Sequence, residues 1–379
     1  MPLAVVHRPP VTRGAAYLFE VAGLTVDDLL AGPRGRVLCM AVAHRLDQRV
    51  WSAWLHATWH PAAASRLADL VRALEAIDPE PVHAWRDSMA FLEPVDETVS
   101  HAMYWQPPHD QDVIASDPAV VVALRPIAGA IATAPATVWW SSPVDLEALR
   151  YTSRFDDERP LPPTLAGASE RLGRWRGRTL EDDRDAAMHR PTDPAAPFSG
   201  NWWSTPAMAS LLTTTRPLSS LGSIELAWQE DSFGQRNASI WPLSTTRAPR
   251  VWEIDRPAAW VRLVEQYPLD VTNARRHDWY KTTGRAGTWL IPDWSAVAAD
   301  WDAVHVSVAG YLTTATRALP VADGTAATML AGWNPDQTWW LTDILATTTP
   351  HPAESWHNPE DPDGSDFGWR LASPRLASP

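Results

Sequence analysis

Between residues 251 and 312 the hydrophobic pattern switches repeatedly between a two-residue and a three-to-four-residue period, and this limits the fold more than any other feature. Val251-Trp252-Glu253-Ile254 reads as a strand. Pro257 then sits just inside a helix carrying Trp260, Leu263 and Val264, which ends near Pro268. Trp289-Leu290-Ile291 is a further strand, and Asp293 is placed to cap a helix whose Trp294, Val297 and Trp301 share one face. In the next strand Val304, Val306 and Val308 fall on one face, with His305 and Ser307 on the other. Strands alternating with helices predict β-α-β units. The expected class is α+β, with mixed sheets, packed helices and two lobes, patterned most clearly over 251–312. Ile224 to Trp228 adds a strand, and 326–331 with 337–343 read as a closing strand pair joined at Asn334-Pro335-Asp336.

The N-terminal part is less regular. Residues 15–21 and 36–43 are apolar and read as strands about the turn Gly32-Pro33-Arg34-Gly35. Residues 48–59 read as a helix. Pro61 opens another, on which Leu67, Leu70, Val71, Leu74 and Ile77 form one stripe ended by Asp78-Pro79. Residues 79–118 look irregular, 119–134 helical, and Val138-Trp139-Trp140 a strand. The charged, proline-bounded stretch 156–199 reads as a connector with a short helix. The expected division is a lobe at 1–155, that connector, a second lobe at 200–349 and a loosely ordered tail at 350–379.

The charge balance is 32 − 45 = −13, and no basic run offsets it. Such a surface repels nucleic-acid backbones and anionic lipid, so neither is an expected partner. The most apolar stretch, Ala119 to Trp140, is broken by Arg125, Pro126 and Pro135, and the first ten residues lack a charged start and an apolar run. A cytoplasmic location is the expectation. The one cysteine, Cys39, lies in an apolar run and reads as a buried hydrophobe. Tryptophan (23) stands in for Phe and Tyr (6 each), and Lys281 is the only lysine. Both biases fit a GC-rich coding background.

No phosphate loop, dinucleotide fingerprint, hydrolase elbow or zinc-protease motif is present; Lys281 follows Tyr280, where a phosphate loop needs glycine. The densest polar cluster runs from Thr272 to Arg285 and reads as a loop between strands. Arg275, Arg276 and Lys281 would hold an anion there, with Tyr280 stacking on a planar group. His277, oriented by Asp278 or Asp293, would handle protons, with His305 reaching in from its strand. The alternative is a solvated loop whose cations pair with acidic neighbours. His56 and His60 have metal-pair spacing but no third ligand, and read as helix-surface residues. His109-Asp110-Gln111-Asp112 reads as a proline-led turn with acidic tips. The paired tryptophans 139–140, 202–203 and 339–340 are expected to pack in the core.

Two functions follow as expectations. One is a C-terminal pocket that binds or processes an anionic small molecule, such as a nucleotide or phosphorylated metabolite. The other is a non-catalytic protein that meets a protein partner, or its own copy, through exposed Trp and Pro surfaces. The sequence names no cofactor and leaves open whether the chain is an enzyme.

Overall fold

The structure is a computed structural model that describes residues 23–59, 64–156, 159–207, 209–230, 232, 234–347, 349–359 and 368–372. The expected strand at 15–21, together with Pro61 and His60, lies outside these residues.

The helix Pro33–Leu46 is the centre of the N-terminal part. The helices Val26–Ala31, Gln48–Trp59, Leu92–Ser100, Asp110–Ala115 and Pro118–Thr133 pack around it. Residues 36–43, expected to form a strand, are the middle of this helix. Arg34, Gly35 and every residue from Val37 to Ala43 are buried, and a helix buried on all sides loses the periodicity that marks a helix. The turn at Gly32-Pro33 is its start, where proline's fixed φ fits the first helical position. The stripe on Ala64–Glu75 is present, with Leu70 and Leu74 fully inside. Residues 79–118, expected to be irregular, hold three short helices and a 3-10 turn. Val138 to Trp140 lies in the 3-10 helix Pro135–Ser141 rather than a strand.

Three sheets follow among the described residues, and the fold is α+β. Arg150–Phe155 pairs antiparallel with Asn237–Thr245, which also pairs with Leu345–Thr347 and Glu354–His357. The stretch after 350 thus adds strands to a sheet. The second sheet places Ala303–Val306 between Val251–Ile254, parallel to it, and Gln337–Trp340, antiparallel. The third runs Pro268–Asp270, Thr288–Pro292, Ala326–Thr328, Leu319–Val321. The expected closing pair is therefore divided between two sheets, because the turn at Gly332 and Asp336, both at positive φ, sends the chain across rather than back. Ile224–Leu226 is a 3-10 helix capped by Ser223, not a strand.

Two further corrections concern helices. The connector holds the 22-residue helix Ala168–His189, and the polar cluster expected to be a loop is the helix Thr272–Thr283. These two helices pack together. No single described helix is long and apolar enough to cross a membrane.

The helix Val308–Thr314 begins where a longer strand was expected. Ser307 leaves the strand and caps it, its Oγ accepting from the Gly310 N–H at 3.0 Å. This helix crosses the end of Val251–Ile254 so closely that a Cβ on Gly310 would lie 1.9 Å from the Ile254 carbonyl oxygen. Gly35 plays the same part in the N-terminal half, 2.0 Å from the Leu29 carbonyl oxygen by the same measure. Alanine normally stabilises a helix interior by about 1 kcal/mol over glycine. Gly173, exposed in Ala168–His189 with open space around it, should show that gain. At Gly310 the backbone conflict reverses the sign, and Gly310→Ala should destabilise by about 1–3 kcal/mol. Thermal denaturation of the two variants checks this: a Gly310→Ala protein as stable as wild type would refute the close contact.

Candidate functional site

The helix Thr272–Thr283 turns its polar residues inward. Asp270 accepts from the Thr272 N–H at 2.9 Å, and Asp183 of the neighbouring long helix accepts from the Ala274 N–H at 2.9 Å. Arg275 is buried, donates to the Trp203 carbonyl at 3.1 Å and pairs with Asp182 at 3.7 Å. Arg276 donates to the carbonyls of Ala186 and Arg190. His277 is buried against Phe198, ring centroids 5.2 Å apart; burial first, then Arg276, holds its pKa below the ordinary value. Asp278 accepts from the Gly200 N–H at 2.8 Å. Tyr280 is half-buried. The ammonium of Lys281 meets three acceptors, the carbonyls of Phe198 (2.5 Å) and Trp105 (3.4 Å) and the carboxylate of Asp278 (3.3 Å). Three donors on a compact charge match three acceptors, which a planar guanidinium would not. The cations of this cluster therefore hold the chain to itself.

His305 sits elsewhere, and the structure does not join it to His277. On Ala303–Val306 its backbone register neighbours are Glu253 and Thr338. Its Nδ1 lies 2.6 Å from Glu253 Oε2, and its Nε2 pairs with Asp336 Oδ1 at 3.4 Å. Asp336 in turn accepts from Arg216 Nε at 2.8 Å and from the Arg216 N–H at 3.0 Å. The Arg216 guanidinium lies 4.9 Å over the Trp139 ring, and Glu253 accepts from the Val144 N–H. The result is a row of alternating charges, Arg216, Asp336, His305, Glu253. Burial pushes the His305 pKa down, but Glu253 and Asp336 outweigh it and bring it up to about 9. An imidazolium bonded to Glu253 through Nδ1 and lying within ion-pair range of Asp336 through Nε2 has no lone pair to offer a substrate. His305 is a structural cation.

The concave feature lies between the N-terminal helices and the second half of the chain. A cavity of about 330 Å³ is walled by Pro33 and Arg36, by residues 101–116 in part, by Thr282 and Thr283, and by residues 316–318. Arg36 and Arg317 both line it. Arg36 donates to the Leu30 carbonyl at 3.0 Å, and its buried Nε has no partner. Arg317 donates to the Thr313 carbonyl at 2.6 Å and lies across Gly32, where a Cβ would come within 2.9 Å of its Cδ. Among the described residues neither guanidinium has a carboxylate partner. Burial lowers the pKa of both. Asp112 opposes this at Arg36, where Arg317 and Arg34 lower it further, and Asp28 opposes it at Arg317. The fully buried Arg34 donates to Asp112 Oδ1 at 2.5 Å and to the Thr98 carbonyl at 2.7 Å, and its Nε, like that of Arg36, has no partner among the described residues. His101 and His109 complete the wall, their rings 5.8 Å apart.

Of the expected site residues, none lines this cavity; the last turn of their helix does, through Thr282 and Thr283. The stretch His109–Asp112, expected to be a turn with acidic tips, supplies two wall residues, and Asp112 is buried. Its proline lead is the signal for a helix start at Asp110. Arg36 and Arg317 carry no local signal at all. A second hollow, about 260 Å³, holds Glu97, whose carboxyl burial pushes up to about 7, beside the Arg45–Glu93 pair. No group of three or more potential metal ligands occurs among the described residues. Comparisons with protein-family models, curated proteins and solved structures find no match for the chain.

The His305 row predicts a pH dependence. Its folded pKa, about 9, lies above the unfolded value of about 6.5. The stabilisation is therefore complete below about pH 6.5 and is lost as pH rises through about 9. The shift corresponds to about 3 kcal/mol. Urea denaturation of wild type and His305→Gln at about pH 6 and pH 10 should show the gap between them closing at the higher pH. A gap independent of pH would contradict the clamp.

Proposed function

We propose that the protein binds an anionic small molecule in the cleft between Arg36 and Arg317. The observation that carries this reading is the pair of partly buried guanidiniums that face one cavity without carboxylate partners. Some buried cations elsewhere are matched by a carboxylate, Arg34 by Asp112, Arg275 by Asp182 and Arg216 by Asp336, whereas Arg276 is held by Asn273 and two backbone carbonyls; Arg36 and Arg317 differ in lining one open cavity together. Partly buried guanidiniums that repel each other destabilise a fold unless an anion joins them. The volume, about 330 Å³, is at the small end for ligand pockets and suits a small phosphorylated or carboxylated metabolite better than a dinucleotide.

The reading through exposed tryptophans has less support. Trp140, Trp202 and Trp340 are buried, and their sequence neighbours pack against the core. Among the described residues Trp59 is the tryptophan that stands clear of it.

A hydrogen bond to a charged group contributes about 1.5–3 kcal/mol. Arg36→Ala and Arg317→Ala should therefore each weaken binding of inorganic phosphate about 10–100-fold in isothermal titration calorimetry. Arg174→Ala, on the exposed face of Ala168–His189, should leave it unchanged. If neither inorganic phosphate, pyrophosphate nor citrate gives a saturable heat with the wild-type protein, the reading fails.

A further inference from the structure

The same cavity presents acceptors as well as donors. Asp112 is a wall residue whose Oδ1 is taken by Arg34. Its Oδ2 accepts no hydrogen bond from a described residue. His101 is the second acceptor. Its Nδ1 lies 2.6 Å from the Glu97 carbonyl oxygen. A carbonyl can only accept, so Nδ1 carries the proton and, in the neutral ring, Nε2 keeps its lone pair. Burial, and the charges of Arg34 and His109, hold the His101 pKa below its ordinary value, against the Glu97 carbonyl and Asp112, which favours the neutral ring.

A wall with two guanidiniums, a carboxylate and a neutral imidazole does not suit every anion. A fully deprotonated oxyanion puts oxygen lone pairs against Asp112 Oδ2 and His101 Nε2, where like meets like. An oxyanion that still carries a proton turns the same contacts into O–H···O or O–H···N hydrogen bonds, while its other oxygens face Arg36 and Arg317. We infer that the cleft selects oxyanions by their proton, taking hydrogen phosphate or the protonated form of a phosphate ester and rejecting sulfate. This inference rests on the anion-binding reading of the same cleft and adds the substrate class to it.

The two are separated by one titration series at pH 7.5 with four inorganic probes of similar size. Phosphate and arsenate carry a proton at that pH; sulfate and selenate do not. A site built to accept a hydrogen bond rejects an analogue lacking the donor by large factors, about 10⁴–10⁵ when fully enclosed. In this half-open cleft, solvent screening reduces the expected preference to about 100-fold or more for phosphate and arsenate. Asp112→Asn should raise sulfate affinity at least about tenfold by replacing a repelling carboxylate oxygen with an amide. Because that change also unpairs Arg34, the wild-type series decides the matter if the variant does not fold. Binding of all four anions with similar affinity would overturn the proton selection and leave the anion site standing. Binding of none would overturn both.

Discussion

The second half of the fold depends on one buried imidazolium. His305 occupies the central strand of the sheet formed by Val251–Ile254, Ala303–Val306 and Gln337–Trp340, and it is gripped from both sides, by Glu253 on the parallel neighbour and by Asp336 at the entry to the antiparallel one. Removing one member of such a row leaves a buried charge without a partner, which is costlier than never having had the pair. The row extends through Arg216 to Trp139, and through Glu253 to the backbone of Val144, so the same electrostatics tie the sheet to the segment that follows the N-terminal helices. The tight seat of Gly310 on Ile254 fixes where the helix Val308–Thr314 lies, and hence where Arg317, just beyond it, projects.

The cleft follows from that placement. Arg317 comes from the end of the helix that Gly310 seats, and Arg36 from the first turns of a helix whose start Gly35 presses against Leu29. Arg34 and Asp112 form an ion pair, and Arg36 and Arg317, which have no ion-pair partner among the described residues, line the cavity with Asp112. In a chain of net charge −13, a pocket wall with two guanidiniums against one carboxylate, Asp112, is a local reversal of sign. Such reversals concentrate anions from solution.

Much of the βα pattern is legible in the sequence. The strand at 288–292 and the helix at 257–266 obey simple periodicity because each has one buried face, and the strands at 251–254 and 303–306 are legible from their β-branched and aromatic residues, although all four residues of 303–306 are buried. Periodicity fails where burial is not one-sided. Pro33–Leu46 is enclosed on all sides, and Thr272–Thr283 buries Arg275, His277 and Asp278 because Asp182, Phe198 and Gly200 meet them there. A helix whose polar residues turn inward looks like a loop in sequence. The cavity is invisible there for a different reason: its wall is drawn from four segments spread between residues 31 and 318, and no spacing rule links Arg36 to Arg317. Anion binding in an acidic protein remains the proposal, carried by the cations that face open space rather than by those that hold the chain together.

On the proposed function, Arg36 and Arg317 are kept unpaired at a cost in stability because a ligand anion completes them. The most direct measurement is the melting temperature of Arg36→Met, which keeps the apolar stem and removes the charge, with and without inorganic phosphate. The variant should melt above the wild type in anion-free buffer, and phosphate should raise the wild type while leaving the variant unmoved. A variant that melts below the wild type, with no phosphate shift in either protein, would mean that Arg36 is a structural residue and the cleft is not an anion site.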